Sequence, residues 1–140
     1  MLTEIVNLYC DPCKKVFEKI RHLLTDACKN TVDLQVILLC NYDDPNNVFT
    51  KTALHFIAFA EQQPVNQVKE ALFDWFEQKD YDLWSKKYPA TIEENHLELL
   101  KNHVTWFHEN KLEGTPISIL NNKIVPHIID IEDLQYLIND

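Results

Sequence analysis

The sequence predicts an α/β fold with a helical block set inside it, and three observations carry that expectation. An apolar run at residues 2–8 leads through Cys10-Asp11-Pro12-Cys13 into apolar positions at helical spacing. A second apolar run follows at residues 32–39, so the chain opens as strand, helix, strand. After a long helical stretch the pattern changes at Gly114-Thr115-Pro116, where a short hairpin and a last helix are expected.

The first strand, residues 2–8, is short and mostly apolar, and Cys10 is expected to end it. The first helix then runs from about Cys13 to Cys28, with Val16, Phe17, Ile20, Leu23, Leu24 and Ala27 on its apolar face. Pro12 suits its beginning, because the N–H of a first helical residue has no intrahelical partner to lose. Lys14 and Lys15 in the first turn oppose the helix dipole. Asn30-Thr31 reads as a turn, and residues 32–39 alternate and then become wholly apolar, as in a buried strand. Two strands joined through a helix make a right-handed parallel unit.

Residues 41–47 are loop by composition. Residues 48–62 are apolar on most sides, and Pro64 breaks that helix. Val65, Val68, Leu72, Trp75 and Phe76 make the next amphipathic face; Tyr81, Leu83, Trp84 and Tyr88 follow, and Pro89 stops them. Thr91 can cap a further helix with Glu93 and Glu94 in its first turn and Ile92, Leu97, Leu100, Val104 and Phe107 inside. This block, residues 45–111, reads as an insertion within a single domain spanning residues 1–140. Its aromatic residues read as core rather than as a ligand cage. His96 and His103 could share a face, a weak indication of metal binding. Gly114 is the single glycine of the chain. Residues 117–120 form a strand, Asn121-Asn122 a tight turn, residues 123–125 the return strand, and Asp130 caps a last helix holding Ile131, Leu134, Leu137 and Ile138.

Composition narrows the function classes. At 46% hydrophobic and 25% charged residues, 140 residues can bury one core and are not a disordered chain. A net charge of −9 argues against nucleic acid or an anionic membrane surface as partner. The sequence has no apolar run long enough to insert directly into a membrane. Met1 comes straight before the first strand, which leaves two expectations: a cytoplasmic protein, or a domain cut from a longer exported or membrane-bound chain.

The chemistry is expected at Cys10 and Cys13. A thiol at a helix N-terminus feels the positive end of the dipole, which favours the thiolate and therefore nucleophilic sulfur. Four cysteines with one close pair are not a disulfide scaffold. A structural zinc site would want a second close pair or a histidine pair at ligand spacing, and the six histidines are scattered. A redox pair needing no metal or organic cofactor is therefore the preferred reading. Cys28 and Cys40 are expected to be unpaired and buried as small hydrophobes, with Cys40 as a third exchanging thiol the alternative.

The order strand, Cys-x-x-Cys, helix, strand, helical block, Gly-Thr-Pro, hairpin, helix resembles the thioredoxin superfamily over essentially the whole chain, which implies a thioredoxin fold with a central mixed sheet. The inserted helices are similar to the DsbA-like branch. The closer likeness is to thioredoxin-like domains fused to bacterial membrane proteins of the vitamin K epoxide reductase type, carried by residues 7–13, the helix around residues 53–60, Trp75 and Gly114-Thr115-Pro116. The resemblance implies a thiol–disulfide oxidoreductase in which Cys10 attacks and Cys13 resolves. It implies a cis Pro116 facing the sulfurs and a Thr115 backbone offered to an extended substrate. Partners would be protein or peptide thiols and disulfides, with a membrane thiol oxidase domain in the same longer chain and a periplasmic or extracytoplasmic location. Two departures stand out. The dipeptide is Asp11-Pro12 rather than Gly-Pro or Pro-His, and the Asp11 carboxylate is expected to disfavour a Cys10 thiolate and make the pair less oxidising than one with Pro-His. No buried acid-and-lysine pair can be placed from the sequence. A module of this fold that binds a partner without redox turnover is the alternative class.

Overall fold

The computed structural model describes residues 2–22, 34–40 and 46–126. Its elements are β1 (Leu2–Val6), α1 (Asp11–His22), β2 (Leu34–Leu38), α2 (Val48–Gln62), α3 (Val65–Gln78), α4 (Tyr81–Lys87), α5 (Glu94–Glu109), β3 (Ile117–Leu120) and β4 (Lys123–Ile124). The four strands form one mixed sheet in the order β2-β1-β3-β4. The described residues up to Ile37 and from Gly114 onward make one compact unit, and Leu38–Glu113 makes a second.

In the first unit β1 lies between β2 and β3, and all five of its residues are buried. It pairs antiparallel with β3, Leu2 opposite Leu120 and Ile5 opposite Ile117. The hairpin to β4 turns at Asn121 and Asn122, whose φ values of 50° and 71° match the mirror-image turn that suits twisted strands. β1 stops at Val6, earlier than expected, and Cys10 is not its last residue. The Asn7 side chain accepts the Tyr9 N–H at 3.0 Å and its carbonyl accepts the Cys10 N–H at 3.0 Å. This local turn diverts the backbone from the ladder. α1 begins at Asp11, so Pro12 is its second residue rather than its first; the N–H it lacks is still one of the unpaired first-turn donors. Cys13, Phe17 and Ile20 form the buried stripe of α1.

In the second unit α2 is the central helix, packed by α3, α4 and α5, with every residue from 52 to 59 buried. Its limits are those expected, set by the Asn47 side chain accepting the Phe49 N–H at 2.8 Å and by Pro64 beyond its end. Trp75 is fully buried, Phe56 stacks on Trp84 at 4.2 Å, and the Trp84 indole donates to the Ala71 carbonyl at 2.9 Å, so the aromatic residues are core. Three positions expected inside are on the surface: Val65 is 69% exposed in the first turn of α3, Leu83 is 58% exposed, and Ile92, which precedes α5, is 40% exposed. α5 is capped by Glu93 in a reciprocal box with His96, not by Thr91. The backbone of Thr91 is held outside the helix by the Gln62 amide, which accepts its N–H at 3.1 Å and donates to its carbonyl at 2.9 Å.

Three histidines of this unit bind backbone groups. His55 Nε2 donates to the Tyr88 carbonyl at 2.6 Å. His96 Nδ1 accepts the Glu93 N–H at 2.9 Å and His103 Nδ1 accepts the Leu38 N–H at 3.1 Å, so the pair considered for metal binding serves as backbone acceptors. An accepting Nδ1 must be unprotonated. Burial is the largest cause lowering the His103 pKa. A depressed histidine pKa gives stability that is present above the unfolded value of about 6.5 and lost as pH falls toward the folded value. Chemical denaturation of wild type and His103→Gln, whose amide oxygen can accept at any pH, should show wild type losing stability relative to the variant below about pH 6.5. A constant difference from pH 7.5 to 5 would mean His103 carries no such linkage.

Candidate active site

Cys10 immediately precedes α1, and its carbonyl accepts the Lys14 N–H at 3.3 Å, so it occupies the capping position while Cys13 lies in the first turn. The two are not alike in exposure: Cys10 is half-buried and Cys13 is fully buried. Both thiols are unbridged. Across from them the chain enters β3 through Gly114, at φ +76° in the left-handed region that favours glycine, and through a cis Thr115–Pro116 peptide bond. The β1–β3 pairing returns this segment to the start of α1. There the Thr115 hydroxyl lies 3.7 Å from the Cys10 sulfur as a donor, and the Cys10 thiol lies 4.0 Å from the Thr115 carbonyl.

Burial pushes the Cys13 thiol up to about 12; its hydrogen bond to Cys10 and the nearness of that sulfur add to the effect, while the Asn7 backbone and the Thr115 hydroxyl offset part of it. The shared hydrogen bond helps burial keep the proton on Cys13. One accessible sulfur backed by one protonated, desolvated sulfur is an arrangement that can attack a disulfide and then close on itself.

The structure thus brings Cys10, Cys13 and Thr115 together; Pro116, which follows Thr115 in the chain, is half-buried. Asp11 and Pro12 are exposed at the start of α1. Cys40 is an unpaired, half-buried thiol whose pKa burial raises and the Thr50 hydroxyl partly restores; it belongs to the second unit. Cys28, the Asn30-Thr31 turn and the last helix fall outside the described residues.

The sequence reading missed Glu4. It lies in the middle of β1, fully buried opposite Ser118, six residues before Cys10. Neither carboxyl oxygen has a hydrogen-bond partner among the described residues. Burial raises its pKa from 4.5 to about 8, and the Ser118 hydroxyl offsets part of this without completing a well-formed hydrogen bond. The signal available in the sequence was a single charge inside an otherwise strand-like run.

No family model matches the sequence, and no curated protein matches it. Solved structures do match its fold. A proposed protein-disulfide isomerase from Pseudomonas syringae superposes with a TM-score of 0.68 at 13% identity, over 99% of this chain and 91% of that one. A periplasmic thioredoxin-like protein from Salmonella enterica serovar Typhimurium gives 0.71 at 15% identity, over 99% and 81%. Proteus mirabilis ScsC in a compact conformation gives 0.73 at 15% identity, over 99% and 80%. The chain has a thioredoxin-like α/β fold.

The raised Glu4 pKa has a definite sign. Between pH 4.5 and 8 the folded chain keeps a proton that the unfolded chain releases, so stability falls as pH rises through that window. At about 1.4 kcal/mol per pKa unit the full loss is on the order of 4–5 kcal/mol above pH 8. Urea denaturation at pH 5 and pH 8.5 should show Glu4→Gln gaining stability over wild type as pH rises; a difference that does not change with pH would show that Glu4 titrates normally.

Proposed function

We propose that the protein is a thiol–disulfide oxidoreductase acting on cysteines of other polypeptides, with Cys10 as nucleophile and Cys13 as resolving thiol. The observation that carries this reading is the half-exposed Cys10 sulfur at the start of α1, with a buried protonated Cys13 behind it and a hydroxyl donor 3.7 Å away. In the reducing direction the Cys10 thiolate attacks a substrate disulfide. A Cys10–substrate disulfide forms and the first substrate sulfur leaves with the electron pair. Cys13 then loses its proton and attacks the Cys10 sulfur. The Cys10–Cys13 disulfide forms and the second substrate sulfur leaves. Counting the proton that Cys10 released to solvent on forming its thiolate, the pair has given two electrons and two protons, and the substrate has become two thiols. The oxidising direction is the same sequence in reverse.

In this scheme the Thr115 hydroxyl steadies charge on Cys10, and the Thr115–Pro116 segment offers backbone to an extended substrate. Asp11 and Pro12 modulate the pair through the start of α1. No metal or organic cofactor takes part. Among the structural neighbours, one described as a proposed protein-disulfide isomerase supports thiol–disulfide chemistry, and one described as a periplasmic thioredoxin-like protein supports a place outside the cytoplasm. Among the described residues no helix is long and apolar enough to cross a membrane. Attachment to a membrane thiol oxidase of the vitamin K epoxide reductase type extends the proposal, on the sequence resemblance alone.

The test is exchange with a disulfide-bonded peptide followed by mass spectrometry. Wild type should reduce the peptide or be oxidised by it, Cys10→Ser should do neither, and Cys13→Ser should accumulate a peptide adduct on Cys10. A Cys10→Ser variant that exchanges at the wild-type rate would overturn the assignment. A double serine variant that still binds its partner, alongside a wild type without exchange, would favour the pure binding module.

A further inference from the structure

The charge of this chain is unevenly placed. Of its 13 basic and 22 acidic residues, α1 holds four and two: Lys14, Lys15, Lys19 and Arg21 against Asp11 and Glu18. The helix that carries the thiol pair is therefore net positive within a chain of net charge −9. Lys14 and Lys15 follow Cys13 directly; Lys15 is exposed and Lys14 half-buried. Among the described residues neither comes within ion-pair distance of a carboxylate. Helix energetics do not explain them, since cations near a helix N-terminus are disfavoured by the dipole and anions are favoured there. A local rule broken beside a reactive group, without a structural partner to compensate, points to a role in function.

The exposed part of this helix start is what a substrate meets as it approaches Cys10. A lysine ammonium is a compact charge on a flexible stem, suited to a carboxylate whose position varies from one substrate to another. We propose that Lys14 and Lys15 select polypeptides whose reactive cysteine is flanked by aspartate or glutamate. The proposal rests on the exchange reading above and names the substrate class for that site. The acidic remainder of the chain repels such partners, so attraction is confined to the helix that bears the thiols, and opposite charge raises the rate of productive encounter. Because these charges face solvent, the preference is screened by salt.

The experiment uses the reduced full chain and three peptides of one length. Each carries a single cysteine as a mixed disulfide with thionitrobenzoate, flanked by acidic, by neutral or by basic residues. Release of the coloured thiolate gives the rate. The acidic peptide should react about fivefold faster than the neutral one at low ionic strength, and the basic one more slowly than the neutral one. The acidic-to-neutral ratio should fall toward one in about 0.5 M salt, and at low salt in the Lys14→Gln/Lys15→Gln variant. A ratio of one in wild type at low salt would overturn the proposal. So would a ratio above one that survives in the double variant. Lysines that only tune the Cys10 sulfur would change all three rates together and leave the ratio intact, which is the second of those results. Absence of release from every peptide overturns the exchange reading, and this proposal with it.

Discussion

Desolvation of the Cys13 sulfur is the constraint on which the chemistry of this structure depends. Burial is the largest cause holding that thiol in its protonated form, and burial follows from helix geometry. Cys13, Phe17 and Ile20 occupy one stripe of α1, so packing the two apolar side chains takes the sulfur inside with them. Cys10 precedes the first helical residue, where the backbone turns out of Asn7 and the side chain stays half-exposed. Three residues of separation across a helix start therefore turn two chemically identical thiols into an accessible one and a protected one. The β1–β3 register completes the arrangement by returning Thr115, whose hydroxyl reaches Cys10, from a distant part of the sequence.

Each compact unit holds a buried polar side chain that lacks a hydrogen bond at one or more atoms among the described residues. In the Leu38–Glu113 unit, His55, His103 and Trp84 each meet a backbone group, while His96 Nε2 is buried without a hydrogen bond among the described residues, the Glu61 carboxylate lying 3.3 Å away. In the unit that bears the thiols, Glu4 is buried with neither oxygen partnered among the described residues. Such a group is tolerable only while it keeps its proton, and near neutral pH it does. The linkages at Glu4 and His103 run in opposite directions, the first eroding stability as pH rises and the second as pH falls.

Much of the fold was legible because its signals are local. Asn47 and Pro64 bracket α2 within the sequence itself, and Asn121-Asn122 marks the hairpin. What escaped depends on distant partners or on competing local bonds. Thr91 looks like a cap until Gln62, 29 residues earlier, takes its backbone. Asn7 ends β1 early by bonding to its own chain, an outcome its apolar neighbours conceal. Glu4 looks like a solvent-facing position of a strand, and only the folded chain around β1 makes it interior. The Thr115 hydroxyl contact with Cys10 spans 105 residues and depends on sheet register.

The central claim is the asymmetry of the two sulfurs, and site-resolved alkylation tests it most directly. Reduced protein is treated with iodoacetamide at a series of pH values, and the modification at Cys10 and at Cys13 is followed separately by peptide mass. The account requires Cys10 to be modified readily near neutral pH while Cys13 stays protected up to strongly alkaline conditions, until the chain is unfolded. Equal rates at the two positions in the folded protein, or faster modification of Cys13, would contradict it.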